Sequence, residues 1–361
     1  MSLSRLGFAT ARPFLMALDA EQAHRATIRA LSCLPRGNAR PADACLHQNV
    51  FGLAFPNPLG LAPGFDKNAE VPEAMLGLGF GFVEVGTITP RPQAGNPRPR
   101  LFRLAEDRAV INRMGFNNEG HVAALERLSL RPRSGIVGVN IGANKDSADR
   151  IADYVAGITC FNAVADYITV NISSPNTPGL RGLQSAAELE SLLTRLNATR
   201  SGQARRVPML LKIAPDLLDE ELADIAACCS NGAVDGVIIS NTTLSRAGLR
   251  SPHATQAGGL SGRPLRKLST RQLAKFYLLT KGELPLIGVG GIEDAASALE
   301  KIEAGATLIQ LYSALVYEGP GLIKTILDGL THALQDRGLN SLSKLRGSKA
   351  ATLAHQTDVG R

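Results

Sequence analysis

The feature that most constrains this chain is a regular alternation of two hydrophobic periods between residues 58 and 334. Short runs rich in Val, Ile and Leu occupy 58–62, 82–85, 136–141, 167–172, 209–213, 236–240, 286–289 and 308–311. Stretches with helical period lie between and after them, at 71–78, 119–128, 148–158, 187–196, 220–229, 270–279, 294–304 and 321–334. The strand runs are continuously apolar, the pattern of a parallel sheet covered on both faces. Eight strand–helix units in series close most simply into a (β/α)8 barrel. An open doubly wound sheet often shows G-x-G-x-x-G between its first strand and helix, and none is found here. The glycine-rich Gly77-Leu78-Gly79-Phe80-Gly81 precedes a strand, so it reads as a helix stop.

With 361 residues and 44% hydrophobic composition, the chain can fill a large core without covalent staples. Its five cysteines are an odd number in no framework spacing, so buried, inert thiols are expected. Net charge is 39 − 32 = +7, and residues 1–40 hold six arginines against Asp19 and Glu21, or +4 of that total. Such a basic start suits an anionic surface. Nucleic acid is not expected, because tryptophan is absent, aromatics are 4%, and no zinc-finger, RNP or basic-zipper signature appears. No apolar run approaches the roughly 20 residues that span a bilayer, and no secretory signal is expected. Two short N-terminal helices are predicted, one with Pro13 in its first turn and one capped by Asp19 over 21–31. They could lie in a membrane interface or pack on the main domain, and the pattern allows both. The domains expected are a helical extension over 1–44, the barrel over 45–338, and a polar tail over 339–361 without assignable role.

A barrel requires its chemistry just after the strands' C-terminal ends. There the chain carries Ala62-Pro63-Gly64-Phe65-Asp66-Lys67-Asn68, Gly86-Thr87, Asn140, Asn171-Ile172-Ser173-Ser174, Lys212, Ser240-Asn241-Thr242, Gly290-Gly291 and Tyr312-Ser313. A long loop adds Asn112-Arg113-Met114-Gly115-Phe116-Asn117-Asn118. One asparagine at a strand end is an ordinary turn residue. Recurrence after three strands points to a ligand rich in carbonyl and N–H groups. Gly290-Gly291, the helix start at Glu293-Asp294, and Ser313 form the usual barrel phosphate site, where backbone N–H groups and a helix N-terminus favour an anion. The histidines are scattered and no metal site is expected.

Taken together, these segments resemble the quinone-dependent, membrane-associated class 2 of the dihydroorotate dehydrogenases. The matching segments are APGFDKN (62–68), NRMGFNN (112–118), GVNIG (138–142), NISSPNTPG (171–179), SNTT (240–243), GGLSGRP (258–264), GVGG (288–291) and Tyr312-Ser313, in order, with the N-terminal helix pair. One departure is Ala143, where many members carry Lys.

The resemblance implies oxidation of dihydroorotate to orotate, with FMN reduced and then reoxidised by a membrane quinone. By motif match, Ser174 is the expected base that takes the C5 proton while hydride leaves C6, with Thr177 and Phe116 around it. Serine is a weak base and needs a proton-accepting network in a dry site. FMN contacts are expected from Pro63, Gly64, Phe65, Asp66, Lys67, Thr87, Asn140, Asn171, Lys212, Ser240, Gly262, Gly291, Tyr312 and Ser313. Substrate contacts are expected from Lys67, Asn112, Arg113, Met114, Gly115, Phe116, Asn171, Asn176, Asn241 and Thr242. His24, Arg103 and Tyr312 match positions near the quinone head. A monomer peripherally attached to an anionic membrane, on the cytoplasmic face of the cell's inner membrane, is the expected form. The rival readings are a cytosolic enzyme of the same fold passing electrons to fumarate or NAD, which would carry a cysteine in place of Ser174, and a non-catalytic phosphate-ligand barrel.

Overall fold

The computed structural model describes residues 3–33, 43–230 and 232–356. Eight strands, β1 (Leu59–Leu61), β2 (Phe82–Ile88), β3 (Ile136–Ile141), β4 (Tyr167–Asn171), β5 (Met209–Ile213), β6 (Gly236–Ile239), β7 (Leu286–Val289) and β8 (Leu308–Leu311), pair in parallel around a closed barrel. Closure runs through Ile309 opposite Leu59, so the last strand meets the first. All eight expected runs are strands and all eight expected periodic stretches are helices, with ends that coincide or are shifted by at most five residues.

The strands bury both faces because their side chains are apolar on each. One face meets the helix ring in the main core, through residues such as Val83, Val139, Val170 and Leu211. The other fills the barrel's lower interior with Phe82, Tyr167, Leu210, Ile238, Ile287 and Leu308. The large rings fit because of two glycines: a Cβ on Gly60 would lie 2.3 Å from the Phe82 ring, and one on Gly138 would lie 2.1 Å from Tyr167. A hairpin of Gln48–Val50 and Leu53–Phe55 closes the bottom, with Phe55 edge-on to Phe82 at 5.2 Å.

At the opposite end stands an antiparallel sheet of Leu101–Leu104, Ala109–Asn112 and Gly259–Gly262. Two N-terminal helices, α1 (Leu3–Ala17) and α2 (Ala20–Ser32), sit against it. Asp19 caps α2, its Oδ1 accepting from the backbone N–H of Glu21 and Gln22. Glu21 is buried and paired with Arg100 at 2.7 Å and Arg98 at 3.0 Å, while Arg25 meets Glu70 at 2.8 Å. These ion pairs fix α2 on the barrel together with the buried Ala23 and Ile28. Phe14 and Leu18 remain exposed.

Three expectations need correction. Pro13 lies inside α1 and not in its first turn, because the helix begins ten residues earlier. Only Cys229 of the five cysteines is fully buried; Cys33 is exposed at the end of α2 and the other three are half-buried. Residues 339–356, expected to be tail, fold onto the barrel's outer layer as a 3₁₀ turn (Leu342–Lys344) and a helix (Ala350–Ala354) packed on helix Arg266–Leu279. Leu342, Leu345 and Leu353 are buried there, and Lys349 pairs with Glu303 at 2.8 Å. Leu353→Ala is therefore expected to lower unfolding free energy by about 2–4 kcal/mol, measured by urea titration. A free tail would give no change.

Candidate active site

The strands' C-terminal ends open into one cavity of about 1060 Å³ that continues beneath α1 and α2. Its barrel end is lined by Thr87, Asn112, Asn171, Ser174, Asn176, Lys212, Asn241 and Thr242. Its helix end is lined by small and apolar residues, among them Ala11, Leu15, Ala23, Ala26 and Leu31. His24, Phe65 and Tyr312 stand at the junction as a ring cluster, with His24–Phe65 and Phe65–Tyr312 edge-on at 5.3 and 5.6 Å. Burial beside Lys67 and Arg25 pushes His24 down to about 4, so its imidazole is neutral at pH 7.

The polar floor begins at Glu84, which sequence reading did not single out. Its carboxylate is fully buried and accepts from Asn140 Nδ2 at 2.7 Å, Tyr167 O–H at 3.0 Å and Gln310 Nε2 at 2.7 Å. A carboxylate only accepts, so the Asn140 amide must present Nδ2 to it and Oδ1 to the cavity side. That oxygen accepts from Thr87 Oγ1 at 2.5 Å and from Asn171 Nδ2 at 3.1 Å. Asn171 Oδ1 then accepts from Asn241 Nδ2 at 3.2 Å, and Asn241 Oδ1 accepts from the Thr242 N–H at 2.8 Å. One anion thus sets the direction of three successive amides, Asn140, Asn171 and Asn241, with Thr87 as a branch.

Two lysines face this cavity without a hydrogen-bond or ion-pair partner among the described residues. Burial lowers Lys212, opposed by the field of Glu84, and burial with the nearby Arg100 pushes Lys67 down to about 8. Ammonium groups held this way are costly until an anion meets them. Ser174 is buried on the cavity wall, and its Oγ accepts from the Asn176 N–H at 3.2 Å. Phe116 adopts a left-handed backbone, φ 54°, held by Gln93 Nε2 and Asn118 Nδ2 on its carbonyl. At Gly291, φ 73°, a Cβ would lie 2.4 Å from Arg266, so the loop after β7 can turn this closely only with glycine. Beneath that loop the buried Lys301 donates to Ser269 Oγ at 2.5 Å, which donates to the Gly290 carbonyl at 3.1 Å.

Pro63, Gly64, Phe65, Lys67, Met114, Gly115, Phe116, Ser240, Gly262, Gly291, Tyr312 and Ser313 also line the cavity. Several expected residues do not. Asp66 turns its carboxylate into its own loop, accepting from the Glu70 and Val71 N–H groups at 2.8 Å each. Asn140 is wholly buried and acts from behind Thr87 and Asn171. Arg113 lies over the Phe102 ring and donates to Gln256 and Ala257, and Thr177 is buried within its turn. Arg103 lines the cavity, but its two terminal nitrogens bond the carbonyls of Leu15, Met16 and Leu18 at the end of α1. The N-terminus of helix Ala295–Glu303 is already capped by Asp294, which accepts from the Ser297 N–H at 2.7 Å, and Glu293 pairs with Arg108 and Arg263. That terminus already carries its own carboxylate cap, which leaves the glycine loop and Ser313.

A family model described as dihydroorotate dehydrogenase matches residues 45–334. A dihydroorotate dehydrogenase (quinone) from Bradyrhizobium sp. (strain BTAi1) is 58% identical over 347 residues, 94% of this chain and 95% of the relative. One from Brucella melitensis biotype 2 is 58% identical over 341 residues, 93% of this chain and 94% of the relative. The crystal structure of DHODH from Eimeria tenella in complex with ferulenol superposes with a TM-score of 0.88 at 39% identity, covering 94% of this chain and 98% of that one.

Lys67 generates a stability prediction. Its folded value lies below the unfolded 10.5, so the ligand-free fold binds that proton more weakly than the open chain does. Its stability cost is full below about 8 and is relieved as pH climbs from 8 towards 10.5. Lys67→Met should stabilise the ligand-free protein at pH 7 by about 2 kcal/mol, the gain shrinking by pH 10. Urea titrations at both pH values check this, and a gain independent of pH would contradict it.

Proposed function

Because the chain belongs to the dihydroorotate dehydrogenase family, we propose that its barrel mouth holds FMN, that Ser174 is the base, and that the groove beneath α1 and α2 admits the quinone. Like its relatives it oxidises dihydroorotate to orotate in pyrimidine biosynthesis and delivers the electrons to a quinone. Enzymes of this family are flavoproteins. The observation that carries the proposal is the single cavity joining a lysine- and amide-lined barrel mouth to an apolar helix groove. One end suits a charged heterocycle and the other a lipid-soluble ring.

The residues present fit FMN. Lys212 is a buried cation and Lys67 a half-buried one, neither with an anion among the described residues, and the tight Gly290-Gly291 turn with Ser313 suits a phosphate group. When bound, FMN supplies the hydride acceptor and the later electron donor to the quinone. Asn171, Asn241 and Thr242, oriented from Glu84, would hold the substrate's carbonyls and ring N–H groups. Lys67 would neutralise the substrate carboxylate and, once paired, return to an ordinary ammonium. Ser174 Oγ would take the C5 proton as its own hydroxyl proton passes to a water, with Phe116 and the buried wall limiting further solvent. His24, held neutral, can donate to a quinone carbonyl or accept from the quinol hydroxyl, and Tyr312, its phenol raised by burial, can only act protonated. Exposed Phe14 and Leu18, with the arginines of α1 and α2, suit peripheral attachment to an anionic membrane at its cytoplasmic face.

The groove assignment separates two half-reactions. Ala26 lines the groove from α2 and lies far in sequence from every substrate contact. Ala26→Trp should leave anaerobic flavin reduction by dihydroorotate within about twofold while slowing reoxidation by a quinone about tenfold or more. Stopped-flow absorbance of both half-reactions tests it. Unchanged reoxidation would refute quinone entry through the groove, and absence of any bleaching in the unaltered protein would refute the flavin reading.

A further inference from the structure

Arg181 belongs to no motif considered above. It lies in the 3₁₀ turn Leu180–Gln184, just beyond the segment that carries Ser174. Its guanidinium makes three contacts to three loops. Nε donates to the Ser173 carbonyl at 3.2 Å, one terminal nitrogen to the Thr242 carbonyl at 3.1 Å, and the other to Asp216 Oδ2 at 3.0 Å. Asp216, in the loop after β5, in turn accepts from the Thr243 hydroxyl and the Leu244 N–H. The Ser173 carbonyl belongs to the peptide that leads directly into Ser174, and the Thr242 carbonyl closes the residue expected to hold substrate.

We propose that Arg181, braced by Asp216, is a positioning residue that sets the distance between the Ser174 peptide and the Asn241–Thr242 wall. The planar, rigid guanidinium fork suits this task, since it holds two carbonyls and a carboxylate in one plane. Stability is a poor explanation for the contact. Both side chains of the ion pair are about one-quarter exposed, at 24% and 23%, where such pairs contribute little. Geometry is a better one, because among the described residues the other hydrogen bonds joining the loops after β4 and β6 come from Asn241 Nδ2, to Ser173 Oγ at 3.0 Å and to Asn171 Oδ1 at 3.2 Å. A base that must reach a substrate proton loses rate steeply when displaced by an ångström.

The proposal rests on Ser174 being the base, and the test keeps the two apart. Flavin-loaded Arg181→Ala and Arg181→Lys are compared with the unaltered protein in three measurements: orotate affinity from the flavin absorbance change, stopped-flow flavin reduction and reoxidation, and backbone hydrogen exchange over 172–182 and 240–245. Arg181→Ala should weaken orotate and slow flavin reduction by about tenfold or more, with unchanged melting temperature, FMN content and quinone reoxidation. Exchange should quicken in both segments, and Arg181→Lys should recover part of each loss. Reduction and orotate affinity within about threefold of the unaltered protein would overturn the proposal. So would a parallel fall in reduction, reoxidation and melting temperature, which marks a merely structural residue. Should Ser174→Ala reduce flavin at the unaltered rate, the base assignment fails by itself, while exchange and orotate affinity still decide whether Arg181 couples the loops.

Discussion

The site's organisation depends on the Glu84 carboxylate in the barrel floor. It is the one group in the network that can only accept, and it receives donors from β3, β4 and β8 while residing on β2. Without it, the Asn140 amide could face either way with similar hydrogen-bond count. With it, the orientation passes from Asn140 to Thr87 and Asn171 and on to Asn241. Glu84 also supplies the field that opposes the desolvation of Lys212. A buried carboxylate with three donors is well satisfied, while Lys212, which feels its field, and Lys67 have no partner among the described residues. The molecule therefore holds its floor rigid and leaves its uncompensated charge at the mouth, where a ligand meets it.

This division follows the barrel's construction. The lower interior is packed with Phe82, Tyr167 and the aliphatic layer, made possible by Gly60 and Gly138. Loops above it can vary without disturbing that plug. The additions at the mouth, α1, α2 and the three-stranded sheet, extend the cavity beyond the strand ends into an apolar groove. Arg100 and Glu21 bind that extension to the barrel at a buried ion pair, so removing α2 would take away the Arg100 carboxylate partner.

The barrel was legible because its strand runs are mostly apolar over four to six residues and its helices keep a 3.6 period. Most of the mouth was legible because strand ends after β1, β4 and β6 carry residues that make poor core. Glu84 was not, since a single carboxylate inside Phe82-Val83-Glu84-Val85 reads as part of a strand and its partners come from distant strands. The sheet of Leu101–Leu104, Ala109–Asn112 and Gly259–Gly262 was missed because its runs LFRL, AVIN and GLSG are broken by polar residues or glycine and one strand lies far along the chain. Arg181 is invisible for a similar reason, its three acceptors being set only by loop geometry. The C-terminal segment looked polar because its buried Leu342, Leu345 and Leu353 are sparse, and only tertiary packing covers them. Arg103 and Asp66 show the converse, motif positions whose polar groups are engaged with the chain itself.

The central claim is that proton removal by Ser174 and hydride transfer to a flavin share this cavity. Anaerobic stopped-flow reduction of Ser174→Ala by dihydroorotate, at measured FMN content, tests it most directly. The account predicts full FMN content, since no flavin contact is assigned to Ser174, with reduction slowed by about 10²–10⁴-fold. Reduction within about tenfold of the unaltered protein at equal FMN content would contradict it.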